Sequence, residues 1–412
     1  MKKPELLVPA GSLTKLKYAV MYGADAVYIG GEAFSLRVAA KNFTNSEIKE
    51  GIDFAHSYGK KVYITANIIP HNEDLKEFPA FVKEVNDMGA DAIIVSDLGA
   101  FSIVKEVAPK LEVHISTQAN NTNYKSASMW HKLGAKRVVI ARDLSFDEIG
   151  EMRRNLDFDC EIEAFVHGAM CISYSGRCLM SNFLTHRDAN KGACSHPCRW
   201  KYYLMEEKRP GEYMPVFEND RGTFIYNSKD LCMIEYIPEL IQAGIDSFKI
   251  EGRVKNELYV ASVTKAYRKA IDLYFESIEN GTEYKLCDEI YENLENVSHR
   301  EYTTGFYFGK PTHRDQLYTS NTYIQDYLIA GVVTDYDEEN KIAVIEQRNK
   351  FEKGAVLELL SPDKDAVKIT VDKMYNADGE EIDACPHPQM IVKIPMDIKV
   401  KEYDIFRMKV KS

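Results

Sequence analysis

One phrase recurs along the chain and constrains its fold more than any other feature. Gly23-Ala-Asp leads into Ala26-Val-Tyr-Ile, Gly89-Ala-Asp into Ala92-Ile-Ile-Val, Gly134-Ala-Lys into Arg137-Val-Val-Ile, and Gly244-Ile-Asp into Ser247-Phe-Lys-Ile. Each time a glycine closes a helical pattern and a short apolar run follows. Glycine accepts the left-handed conformation that ends helices, and a continuous apolar run suits a strand buried on both faces. The phrase is a repeated helix-to-parallel-strand connection. Further runs fit between the repeats: Glu5–Pro9, Lys61–Ala66, Glu112–Ser116 and Glu161–Val166. Helical patterns over Leu13–Tyr22, Ser46–Tyr58, Leu75–Met88, Tyr124–Leu133 and Phe146–Asn155 separate most of them. Strands alternating with helices in this number predict an α/β fold, a TIM-type (β/α) barrel. An open doubly wound sheet is the alternative, weakened because no Gly-x-Gly-x-x-Gly follows the first run.

The alternation fails once. After Val166 comes a stretch of about sixty residues rich in polar and Cys positions, and long irregular insertions in compact domains are usually functional. Following a strand, it falls on the barrel's C-terminal face, where active sites form. The barrel with this insertion (about 167–226) spans 1–278. A long amphipathic helix is expected over Asn256–Ser277, and residues 279–325 form a connecting segment. From 326 to 412 the composition shifts to short β-branched runs at Ile329–Thr334, Ile342–Glu346, Val356–Leu360, Val367–Val371 and Gln389–Ile394. These predict a small C-terminal all-β barrel with turns at Asp337–Asn340 and Asn376–Gly379.

A net charge of −11 over 412 residues argues against non-specific coating of nucleic acid. No apolar run approaches a membrane span, and Pro4 and Glu5 interrupt any signal core, so a cytoplasmic protein is expected. Of the eight cysteines, none precedes Cys160, and Cys171, Cys178, Cys194 and Cys198 crowd one segment. In a cytosolic chain such crowding favours metal over disulfides. Converging thiolates repel one another unless a cation holds them. Zinc and iron–sulfur both accept such a set. The wide first spacing, with only the second pair tight, suits a cluster better than one zinc ion. Cys232, after Asn227-Ser-Lys-Asp, is an alternative ligand, whereas Cys160, Cys287 and Cys385 are expected to be structural.

The run Glu163-x-Phe165-x-x-Gly168-Ala-Met-Cys171-x4-Gly176-x-Cys178-x-Met180-Ser181 resembles the signature of peptidase family U32, the collagenase-like family. So do Glu5-Leu-Leu-Val-Pro-Ala-Gly, Phe248-Lys-Ile-Glu-Gly-Arg253 and Tyr302-Thr-Thr-Gly-Phe-Tyr, and the resemblance covers nearly the whole chain. Within the family it is most similar to proteins of tRNA hydroxylation. That resemblance implies a 4Fe-4S cluster on cysteines, 5-hydroxyuridine formation at the tRNA wobble position without oxygen, a prephenate-like small molecule as hydroxyl source, and a paralogous subunit as a possible partner. Relatives act on a ribosomal RNA cytidine or on small-molecule precursors.

The family name implies proteolysis, but the chain has neither His-Glu-x-x-His nor Gly-x-Ser-x-Gly. Cys171 or Cys178 with His167 as base would make a thiol protease, yet neighbouring thiols would compete for metal or oxidant. The Cys segment is locally basic through Arg177, Arg187, Lys191, Arg199 and Lys201, with His186 and His196, against Asp188. Arginine forks suit phosphate or carboxylates. Trp200, Tyr202 and Tyr203 suit stacking on an unpaired base. Asn67, Gln118, Arg142, His167, Glu251 and Arg253 fall at strand C-termini, the substrate-binding positions of a barrel. Glu32 and Arg37 follow the second strand. Lys249 would be the Schiff-base lysine of an aldolase-like alternative, which leaves the cysteines unexplained. The C-terminal domain suits RNA or partner binding, and an iron–sulfur scaffold assisting a partner hydroxylase is a third class.

Overall fold

The computed structural model describes residues 2–35, 42–171, 174–175, 177–199, 218–219, 222–223, 228–311 and 323–410. The strands of its larger part are β1 (Glu5–Pro9), β2 (Ala26–Ile29), β3 (Lys61–Ala66), β4 (Ala92–Val95), β5 (Glu112–Ile115), β6 (Arg137–Val139), β7 (Glu161–Ala169), β8 (Asp230–Cys232) and β9 (Ser247–Ile250). β1 to β7 pair in parallel in chain order, and β9 pairs in parallel with both β7 and β1. That double pairing closes an eight-stranded barrel and removes the open-sheet alternative. β8 lies outside the closed circuit, antiparallel to the last residues of β7.

Helices cover the outside: α1 (Leu13–Met21), α2 (Asn45–Ser57), α3 (Asp74–Asp87), α4 (Leu98–Val107), α5 (Tyr124–Lys132) and α6 (Phe146–Asn155), then, after the short α7 (Met180–Thr185) of the insertion, α8 (Ile237–Gln242) and α9 (Glu257–Asn280). Their starts are written in the sequence. Ser12, Asp97, Asn123 and Asn256 cap by accepting a backbone N–H three residues on, and Thr44 and Ser145 build full capping boxes with Glu47 and Glu148. α1, α3, α5 and α8 stop at the recurrent glycines, at φ 105°, 89°, 106° and 81° for Gly23, Gly89, Gly134 and Gly244, where a side chain would be strained. α4 is not singled out by the sequence pattern, because Gly99 and the β-branched Ile103, Val104 and Val107 weaken its helical character.

Outward-facing residues such as Leu6, Val8, Val27, Ile29, Val62 and Ile64 pack under the helices in one large core. Inward-facing Leu7, Ala26, Tyr28, Tyr63, Ala92 and Ile94 form a separate plug inside the barrel. Residues 327–409 form an antiparallel half-barrel in the order Val367–Thr370, Val356–Leu360, Ile405–Lys409, Tyr327–Asp337, Ile342–Gln347 and Ile391–Pro395. The Ile405–Lys409 strand is not apparent in the sequence because Arg407 interrupts it. That arginine is buried, with Nε 3.1 Å from Glu358 Oε2 and a terminal nitrogen 3.2 Å from Asn293 Oδ1. The sheet docks on the barrel through Tyr22, whose hydroxyl lies 3.0 Å from Leu360 O and 2.9 Å from Tyr403 O. Among the described residues no helix is long and apolar enough to cross a membrane.

Candidate active site at the barrel mouth

The strands' two-residue alternation decides which side chains reach the mouth. Tyr63 points inward, so Thr65 and Asn67 do as well; His114 points inward, so Ser116 does. Asn67 Nδ2 donates to Ser116 Oγ at 3.1 Å, and that oxygen also accepts the Gln118 backbone N–H at 3.2 Å. Arg253 is buried and donates to Ser35 Oγ at 2.7 Å and to Thr65 Oγ1 at 3.3 Å. Glu251 accepts from Tyr28 at 3.2 Å. Arg142 donates to Ala169 O at 2.8 Å and reaches Ser175 Oγ at 3.4 Å, its guanidinium 5.1 Å from the centre of the Phe165 ring. The strand ends thus carry Asn67, Arg142, Glu251 and Arg253, and Gln118 joins them through its backbone N–H on Ser116. Ser35, Thr65 and Ser116 belong with them and were missed, although strand alternation alone points to the last two. Glu32 is exposed, and Arg37 lies outside the described residues.

Beneath the mouth the barrel interior is charged. Lys249 Nζ donates to Glu163 Oε1 at 2.6 Å, and Glu163 is wholly buried. Arg137 reaches Glu163 at 3.0 Å, Glu5 at 2.5 Å and Glu161 at 2.7 Å. Burial would raise the Glu163 carboxyl, but the adjacent Lys249 and Arg137 charges outweigh it and hold the group below the usual carboxylate range. His114 sits edge-on to Tyr63, ring centres 4.7 Å apart, and burial and then Arg137 lower its pKa. Lys249 is buried and its Nζ is engaged by Glu163, so the geometry does not favour Schiff-base chemistry at Lys249.

His167 is not at the mouth. Between Lys249 and Ile250 the β7–β9 register shifts: Lys249 stands opposite Phe165, but Ile250 stands opposite His167. The extra residue, Val166, is a bulge that reverses the facing of the residues after it. His167 therefore points into the helix layer among Tyr259, Tyr267 and Tyr302, with ring centres 6.0, 5.4 and 5.4 Å away. Burial, then the nearby His299 and Lys255, push its pKa down to about 3. Cys232 stands opposite His167 on β8, its sulfur 3.9 Å from the Tyr267 hydroxyl, and burial pushes its thiol up to about 11. Neither is poised as a base or nucleophile for proteolysis. Gly168, at φ 105°, lets the bulged strand pass Glu251, since a Cβ there would lie 2.4 Å from Glu251 O.

The described part of the Cys-bearing insertion is held at the exit of β3. Cys171 is exposed just past β7, and Cys178, Cys194 and Cys198 are half-buried. Two arms are zipped together: Ser195 N–H donates to Ser181 Oγ at 3.0 Å, and Ser195 Oγ lies 3.0 Å from Ser181 Oγ and 2.9 Å from Thr185 Oγ1. Asn190 Nδ2 donates to Cys178 O at 3.3 Å, and Cys194 Sγ accepts the His196 N–H at 3.4 Å. Ile69 N–H donates to Asn190 O at 3.3 Å and Lys191 pairs with Asp74 at 3.0 Å, which pins the insertion to the exit of β3. Arg177 and Arg187 are exposed on it, beside exposed Tyr174, Leu179 and Leu184. The Arg199 side chain, Trp200, Lys201, Tyr202 and Tyr203 lie outside the described residues. The donor chemistry fits an iron–sulfur centre: sulfur only, on loops, beside a barrel mouth. Convergence is what the structure lacks, since among the described residues no three Cys, His, Asp or Glu side chains are gathered to hold a metal ion.

The model of peptidase family U32 matches residues 11–317, and the model of the same family's C-terminal domain matches residues 325–407. The chain belongs to peptidase family U32. A Bacillus subtilis (strain 168) protein named tRNA hydroxylation protein P1 is 43% identical over 406 residues, covering 98% of this chain and 95% of the relative. The Escherichia coli (strain K12) tRNA hydroxylation protein P is 39% identical, covering 96% and 94%. An uncharacterized protease of Methanocaldococcus jannaschii is 46% identical over 307 residues, covering 74% and 73%. The U32 family thus includes relatives named for RNA hydroxylation and for proteolysis.

Proposed function

We propose that this U32 chain is a cytoplasmic enzyme of tRNA hydroxylation, forming 5-hydroxyuridine at the wobble position without oxygen. The observation that carries the reading is the 43% identity, end to end, to a protein named for tRNA hydroxylation. The site's chemistry supports it. Arg253, buried and held by Ser35 and Thr65, and Arg142, held against Ala169 O, suit the two carboxylates of a prephenate-like molecule. Arg177 and Arg187, exposed beside Tyr174 and Leu179, suit RNA phosphate and base contact. Cys171, Cys178, Cys194 and Cys198, with Cys232 as the alternative fourth ligand, would hold a 4Fe-4S cluster, which supplies electron transfer when bound. The insertion is pinned at the exit of β3 by Lys191 and Asn190, which would hold such a cluster beside the mouth.

Proteolysis is disfavoured because His167 is enclosed by tyrosines and stays neutral down to about pH 3. Deleting the gene in a strain also stripped of any oxygen-dependent route tests the reading. Mass spectrometry of tRNA nucleosides should show 5-hydroxyuridine and its derivatives lost. Unchanged amounts would exclude the tRNA reading and leave ribosomal RNA or a small molecule as substrate.

A further inference from the structure

Arg253, Glu251 and Arg142 charge the ends of β9 and β6, and Arg253 reaches Thr65 on β3. Beyond Thr65, the segments leaving β3 and β5 form a neutral arc: Asn67, Ser116, Gln118 and Asn120. Within that arc three buried acceptors, Asn67 Oδ1, Gln118 Oε1 and Asn120 Oδ1, have no hydrogen-bond partner among the described residues. Native proteins leave few such atoms, and one that recurs around a mouth calls for a ligand or water. Asn67 Nδ2 is engaged by Ser116, so Oδ1 is the atom left over. Asn190 O of the insertion accepts the Ile69 N–H, two residues past Asn67, which brings the insertion next to this arc.

We propose that the neutral arc reads the base to be hydroxylated, and that Asn67 and Gln118 select uracil over cytosine. The proposal rests on the tRNA reading above and names where its base sits. An enzyme acting on a base draws it out of the stack and reads its Watson–Crick edge. Uracil presents an N–H donor at N3, which an orphaned amide oxygen accepts. Cytosine presents a lone pair at N3, which the same oxygen repels. A buried acceptor built for a donor rejects the analogue lacking it far more strongly than shape alone can. Arg253 and Arg142, which are not part of the neutral arc, suit an anionic co-substrate.

The test uses the full chain, prepared without air, and two anticodon stem-loop RNAs differing only by U or C at the wobble position. Equilibrium binding is followed by fluorescence anisotropy. The unaltered protein should prefer the U stem-loop by roughly 10- to 100-fold, the discrimination a good base contact gives. Asn67→Leu and Gln118→Met should bring the two affinities within about threefold, by weakening U binding and relieving the repulsion of C, while Asn67→Asp, which keeps an acceptor, retains the preference. Thermal melting confirms that each variant is folded, and Asn67→Ser replaces Asn67→Leu should the latter unfold. Folded variants that keep the original U-to-C ratio overturn the proposal, as does an unaltered protein that binds both stem-loops equally. Binding to neither stem-loop overturns the tRNA reading itself, a distinguishable failure.

Discussion

Replacing Lys249 with Met removes one member of a buried ion network and leaves the rest in place. Glu163 is wholly buried and takes Lys249 at 2.6 Å; its other cation, Arg137 at 3.0 Å, is shared with Glu5 and Glu161. Breaking a buried pair from one side costs about 3–5 kcal/mol, because a charge is left uncompensated. Since Arg137 remains, about 3 kcal/mol is expected here, read by urea unfolding at pH 7. The sign of the pH dependence is diagnostic. In the unaltered protein Glu163 lies below its ordinary value, so its contribution is present above the unfolded carboxylate pKa and is lost as pH falls through the folded one. Without Lys249 the folded carboxyl takes up a proton more readily, so the variant's deficit shrinks towards pH 5. Glu163→Gln combined with Lys249→Met should recover most of the loss, since no charge then lacks a partner. A Lys249→Met protein within about 0.5 kcal/mol of the original at pH 7, or a deficit that does not shrink in acid, would refute the reasoning.

Other outcomes rest on neighbouring groups. His167 and His299 have pKa values pushed to about 3 and about 4, first by burial, so they stay neutral in the fold while the unfolded chain charges them below about pH 6.5. Stability should fall between pH 6.5 and 5 by about 2 kcal/mol for each, and His167→Gln should flatten that slope in urea titrations; an unaltered slope would contradict the burial account. Cys178→Ala and Cys194→Ala should abolish iron in anaerobically prepared protein, while Cys287→Ala should not. Full iron in Cys198→Ala together with none in Cys232→Ala would transfer the fourth position to Cys232, and stoichiometric zinc in place of iron would refute the cluster.

Much of the barrel is legible in the chain because one physical signal, a helix-ending glycine before a doubly buried strand, repeats. The features that escape are those that depend on register. His167 sits in a run, Phe165-Val-His, whose alternation points it inward; only the pairing of β7 with β9 reveals the bulge at Val166 that turns it outward. Glu163 and Lys249 read as isolated polar residues within apolar strands, and their meeting requires the barrel to close. Ile405–Lys409 hides as a strand because Arg407 finds its partners, Glu358 and Asn293, far away in sequence. The crowding of the cysteines is plain in the sequence, but their spacing cannot decide how the arms that carry them fold, which Ser181, Thr185 and Ser195 do.

The central claim, that this chain directs hydroxylation of tRNA uridine, is tested most directly by expressing it in bacteria lacking every U32 relative and any oxygen-dependent route to the same nucleoside. Digested tRNA is then analysed by mass spectrometry for uridine carrying one added oxygen. The account predicts that the modified nucleoside and its derivatives return with the unaltered chain and stay absent with Cys178→Ala. Their absence with the unaltered, iron-loaded chain, or equal restoration by Cys178→Ala, would contradict it.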